Sequence, residues 1–158
     1  MIFLSELKIR NMEIKDIDIV YKHIHQSFVN KYFENEKLQR EIHNKRYESI
    51  IHSKNCIFHI FEDNSDNFIA FVSHKIRNCS SEISIYLNKE FRQKNFSKKI
   101  LKMSMEKLLE TKKEIKELKA FILEENIISR KVFLDLGFEY IDIKNYENVD
   151  YQIFKKNV

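Results

Sequence analysis

The chain has 158 residues, enough for one domain with one core, and 43% of them are hydrophobic, as in globular proteins. Its formal charge of +4 is small for a chain that is 33% charged, and neither a long basic stripe nor a base-reading motif accompanies it, which argues against a general nucleic-acid surface. No run nears the roughly 18 to 20 apolar residues of a membrane span, and the start, Met1-Ile2-Phe3-Leu4-Ser5-Glu6, lacks the marks of a secretion signal, so a cytoplasmic location is expected.

In chain order, Leu7-Lys8-Ile9-Arg10 reads as a short first strand. Asp16 to Phe28 follows as an amphipathic helix with Ile17, Val20, Tyr21, Ile24 and Phe28 on one face, and a second helical region runs from about Lys37 to Ile51. Two strands, Ile57 to Phe61 and Phe68 to Val72, pair across the polar turn Asp63 to Asn67; Glu82 to Leu87 alternates as a further strand. Phe96 to Leu109 is a helix burying Ile100, Leu101, Ser104, Met105 and Leu108, and Leu118 to Leu123 is the strand after it. A short helix capped by Asn126 and strands at Phe138 to Ile143 and Tyr151 to Phe154 complete an α/β arrangement with a mixed sheet.

Gly137 is the only glycine, and there is no proline. It ends the helix carrying Val132, Phe133 and Leu136, where a left-handed residue closes a helix and a Cβ would be strained. Cys56 and Cys79 are expected to be reduced thiols. His23 and His25 stand two apart in a helix and so point in different directions, and no metal site is expected.

The positive excess gathers at Lys94, Lys98, Lys99 and Lys102, around the start of the Phe96 helix. A turn entering a helix leaves main-chain N–H groups unpaired, and the helix dipole adds positive potential. With flanking lysines this makes a phosphate site; the alternative is a solvated lysine-rich helix start.

Asn126-Ile127-Ile128-Ser129-Arg130-Lys131-Val132-Phe133-Leu134-Asp135-Leu136-Gly137-Phe138 resembles the last segment of the GNAT acetyltransferases, N-x-x-S/A-x-x-x-F/Y-x-x-x-G-F. Arg92, Asn95 and Ser97 occupy the places of that family's R/Q-x-x-G-x-G/A, with both glycines replaced. Asn tolerates the left-handed conformation and Ser is small, so the backbone can still wrap a pyrophosphate. The resemblance covers roughly Phe68 to Tyr140. It implies a mixed, mostly antiparallel sheet with flanking helices and a splayed central strand pair. It also implies that residues 1–158 form a single acyl-CoA-dependent N-acyltransferase domain with acetyl-CoA as donor and no metal.

By the same resemblance, main-chain groups around Ile85, Tyr86 and Leu87 pair with the pantetheine arm and polarise the thioester carbonyl. Arg92, Gln93, Lys94, Asn95, Phe96, Ser97 and Lys98 hold the pyrophosphate, and Asn126, with Ser129, contacts the pantetheine. Glu82 stands where many relatives carry the base that takes the amine proton; the other reading is a solvent-facing carboxylate. The tyrosine that often protonates the leaving thiolate is replaced by Phe133, which leaves water, Tyr86 or Tyr140 for that step.

The segments Glu41 to Tyr47 and Asn55 to Asp63 resemble sugar-nucleotide acetyltransferases, which implies that His43 and Tyr47 meet an amino-sugar acceptor. Helix-to-sheet packing is the competing explanation for that pair. The expected reaction is therefore direct transfer to a primary amine on an amino sugar or a nucleotide-linked amino sugar. A peptide or protein amine and a non-catalytic acyl-CoA-binding module are the alternatives. Nucleic-acid and membrane partners are not expected, and a homodimer is left open.

Overall fold

The computed structural model describes residues 6–24 and 36–158. The strands are β1 (Lys8–Asn11), β2 (Cys56–Glu62), β3 (Phe68–Arg77), β4 (Ser80–Leu87), β5 (Glu117–Leu123), β6 (Glu139–Tyr146) and β7 (Val149–Asn157). The helices are α1 (Ile17–Ile24), α2 (Glu36–His52), α3 (Phe96–Thr111) and α4 (Ile127–Asp135). His25 and Phe28, the expected end of the first helix, lie outside the described residues.

One seven-stranded sheet runs β1-β2-β3-β4-β5-β7-β6. Its pairs are antiparallel except β4–β5, which are parallel because α3 crosses between them. That pair has only three rungs, Ser80–Glu117, Ser81–Leu118 and Glu82–Lys119. Beyond Glu82 the strands part, as expected from the resemblance. β5 stays paired through Leu123, but with β7 on its other side.

Each face has its own core. Ile100, Leu101, Met105 and Leu108 of α3 pack with Ile69, Val72, Ile83, Leu118 and Ala120 on one face. Ile17, Val20 and Tyr47 pack with Ile60, Phe68 and Phe71 on the other. Arg10 clamps the edge of the second core: its guanidinium donates to both Asp16 oxygens at 2.6 and 2.7 Å and to Glu62 at 2.7 and 3.2 Å. Burial pushes the Asp16 carboxyl up, and the Arg10 and Glu13 hydrogen bonds together bring it below the usual carboxylate range.

The left-handed positions explain how one glycine suffices. Asp66, Asn78, Gln93, Asn95, Glu147 and Asn148 have φ between 50° and 64°, within the small left-handed well open to L-residues. Gly137 sits at φ 90°, outside it. There the Phe138 N–H reaches the Phe133 carbonyl and the Gly137 N–H reaches Leu134, closing α4 in a Schellman motif. Glu147 and Asn148, both left-handed, form the two-residue hairpin that extends β6 and β7 beyond their expected ends.

Candidate active site

Two cavities border the β4–β5 pair, one at its open end and one over its paired end that reaches the opening at Glu82 and Phe121. The smaller, about 350 Å³, lies on the α3–α4 side. Ile85, Tyr86 and Leu87 form its β4 wall, Arg92, Gln93 and Ser97 its mouth, and Asn126, Ser129 and Phe133 its α4 wall. Eight residues expected from the sequence thus share one cavity.

Local structure prepares its mouth for an anion. Gln93 and Asn95, both at φ 62°, turn the chain left-handed on entry to α3. Among the described residues, the amides of Gln93, Lys94 and Asn95 donate to no main-chain acceptor. Arg92 fixes this turn to the end of β4, its Nε donating to the Leu87 carbonyl at 2.9 Å. Asn126 caps α4 by accepting from the Ser129 amide at 3.2 Å. Lys94 and Lys98 are exposed beside the mouth and do not line the cavity. The Phe96 ring turns inward against Phe91, so only its main chain can serve a ligand.

The larger cavity, about 800 Å³, lies over the paired rungs of β4 and β5 and includes Glu82. Glu82 belongs to the last paired rung, so its carboxylate stands at the apex of the opening. It is exposed, with Lys75 of β3 and Lys119 of β5 as its cross-strand neighbours. Alternation along β4 puts Glu82 and Tyr86 on one face and Ile83, Ile85 and Leu87 toward the other.

Two expected roles are revised by geometry. The Tyr86 hydroxyl donates to the His23 carbonyl at 3.1 Å, so its proton points at α1 while the ring stacks on Phe71. Tyr140, on β6, lines neither cavity. His43 and Tyr47 do share a helical face, but it is the buried one: they are 5% and 6% exposed, and their ring centroids are 4.5 Å apart. His43 Nε2 lies 3.1 Å from the Ile17 carbonyl, which fixes α2 to α1. These rings build the second core, and a sugar would have to displace them from it.

A buried polar cluster escaped sequence reading. Ser104 Oγ of α3 lies 2.7 Å from His59 Nδ1 and 2.7 Å from His74 Nε2. Burial holds both imidazoles below their ordinary range, to about 4 for His59 and about 3 for His74. The Ser104 position on the buried face of α3 was the available sign that a polar partner waits opposite.

A parallel strand pair that opens after three rungs, with unpaired amides at one mouth and a carboxylate at the apex, agrees with the splayed strand pair of the resemblance. The chain belongs to the acetyltransferase (GNAT) domain family, which matches residues 6–139. It is an acetyltransferase, and enzymes of this family take the acetyl group from acetyl-CoA.

Among solved structures, a variant of the spermidine N-acetyltransferase SpeG from Vibrio cholerae is similar at TM-score 0.80 and 18% identity, covering 97% of this chain and 94% of that one. The Vibrio cholerae spermidine/spermine N-acetyltransferase SpeG crystallised with manganese ions gives TM-score 0.77 and 17% identity over 98% and 94% of the two chains. A dodecameric spermidine N-acetyltransferase from Vibrio cholerae gives 0.78 and 17% over 97% and 94%. No curated protein sequence matches the chain. These neighbours lend no support to the amino-sugar reading, and His43 and Tyr47 are buried in the helix packing. Among the described residues no helix is long and apolar enough to cross a membrane.

Proposed function

We propose that residues 1–158 act as one domain that moves the acetyl group of acetyl-CoA directly onto a primary amine of a small molecule. The donor would occupy the 350 Å³ cavity, and the acceptor would approach from the 800 Å³ side. The observation that carries this reading is the separation of β4 from β5 immediately after the Glu82–Lys119 rung. It lets two reactants meet through the sheet from opposite faces.

In this scheme the amides of residues 93–97 hold the pyrophosphate, with Lys94 and Lys98 adding positive potential. Asn126 and Ser129 line the pantetheine arm. Main-chain groups of Ile85 and Leu87 orient the thioester and polarise its carbonyl. Glu82 takes the proton the amine loses before or during attack. With Phe133 in the cavity wall and the Tyr86 hydroxyl held by His23, water returns a proton to the thiolate. Positioning alone can then contribute about 7 kcal/mol or more to the rate.

The test is turnover of acetyl-CoA across a panel of amines: amino acids, spermidine, an amino sugar and a peptide. Amine-dependent release of free coenzyme A thiol, with an N-acetylated product by mass spectrometry, is expected for at least one small amine. Thiol release that ignores the amine, or none with any of them, contradicts the reading.

A further inference from the structure

We infer that the broad cavity on the Glu82 side selects an acceptor amine that also carries an anionic group, a carboxylate or a phosphate, and disfavours a polycation. This rests on the reading above, in which the acceptor enters from that face. Among the described residues, the cavity draws Lys75, Arg77, Lys119 and Lys144 from three separate strands, against Glu82 and Glu117 alone.

Glu117 is already committed. Lys155 and Lys119 approach its carboxylate at 2.9 and 3.2 Å, and their hydrogen bonds hold it down to about 2. Among the described residues, Lys75, Arg77 and Lys144 form no ion pair. Glu82 is the remaining carboxylate, and the transfer itself needs it to receive a proton from the amine. The cavity therefore offers one anion for the reacting nitrogen and unmatched cations around it.

Position makes the excess effective. Lys75, Glu82 and Lys119 stand side by side across β3, β4 and β5, so the cations surround the apex where the amine must arrive. Adjacent strands lie about 4.8 Å apart, within the Debye length of about 8 Å at physiological salt, so screening only partly removes the field. A second ammonium on the acceptor would face Lys75 and Arg77, whereas a carboxylate or phosphate there would find both. Phe121, Tyr146 and Tyr151 add an aromatic floor, with Lys144 Nζ held 5.6 Å from the Phe121 ring centroid. The spermidine named for the structural neighbours does not match this charge pattern.

Four small amines separate the possibilities: ethanolamine, β-alanine with a carboxylate, phosphoethanolamine with a phosphate, and spermidine. At low salt, kcat/KM should favour β-alanine or phosphoethanolamine over ethanolamine by about tenfold, and the preferred one identifies the anion. The double variant Lys75→Gln, Arg77→Gln should raise the acceptor KM about tenfold without moving the KM for acetyl-CoA. Preference for spermidine, or a double variant with the wild-type acceptor KM, overturns the inference and leaves amine acetylation standing. If none of the four is acetylated, the transfer reading fails for this acceptor class, and calorimetry decides on the cavity. Binding of an acidic amine that the double variant loses supports it; binding of spermidine alone, or no binding, overturns it.

Discussion

Replacing Ser97 with glutamate is expected to raise the dissociation constant for acetyl-CoA about 100-fold without lowering the unfolding midpoint. The two effects have opposite signs for one reason. Ser97 lies in the first turn of α3, where an added carboxylate interacts favourably with the helix dipole and stabilises the helix by about 0.3–1 kcal/mol. The same carboxylate would stand at the cavity mouth, beside the amides of Gln93 to Asn95, and repel a diphosphate. Ser97→Ala removes one hydroxyl and should weaken binding only about threefold. Calorimetric titration with acetyl-CoA and a thermal melt on each variant check both signs. Wild-type affinity in the Ser97→Glu protein would mean that the diphosphate lies elsewhere.

The second large effect is acid lability. His59 and His74 are 2% and 1% exposed, and the fold holds both neutral. Unfolding returns them to an ordinary value near 6.5, so the unfolded chain binds more protons than the native one as pH falls below that point. Their contribution is complete above about pH 6.5 and is lost progressively toward the native values of about 4 and 3. Two such groups should together remove about 4 kcal/mol between pH 7 and pH 5. Urea unfolding at those pH values measures the loss, and His74→Gln should roughly halve the slope. A stability unchanged across this interval would show that the imidazoles are solvated or already charged in the fold.

Local signals made much of the smaller cavity's lining readable from the chain. Asn126, Gly137 and the Arg92 to Ser97 segment each answer a backbone requirement, such as a cap, a left-handed stop or an open helix start. Such requirements leave their mark at fixed offsets in sequence. Asn95 is the clearest case: its φ of 62° lies in the left-handed region that asparagine tolerates and glycine enters freely.

What could not be read depends on how elements sit against one another. His43 and Tyr47 share a helical face by spacing, but spacing does not say whether that face meets sheet or ligand. The broad cavity draws its lining from β3 to β7, so its charge excess is invisible until the strands are ordered. The His59–Ser104–His74 cluster likewise joins β2, β3 and α3 across 45 and 30 residues. Register also hides the ends of strands. β3 continues to Arg77 because β2 offers partners as far as Lys75 and β4 as far as Arg77, although Ser73, His74 and Lys75 interrupt its apolar run.

A crystal structure of the acetyl-CoA complex tests the central claim most directly. It should place the diphosphate within hydrogen-bonding distance of the amides of residues 93–97, with the pantetheine passing between Ile85–Leu87 and Asn126. A diphosphate seated instead on Lys75 and Arg77 in the broad cavity, with the β4–β5 opening empty, would contradict the account.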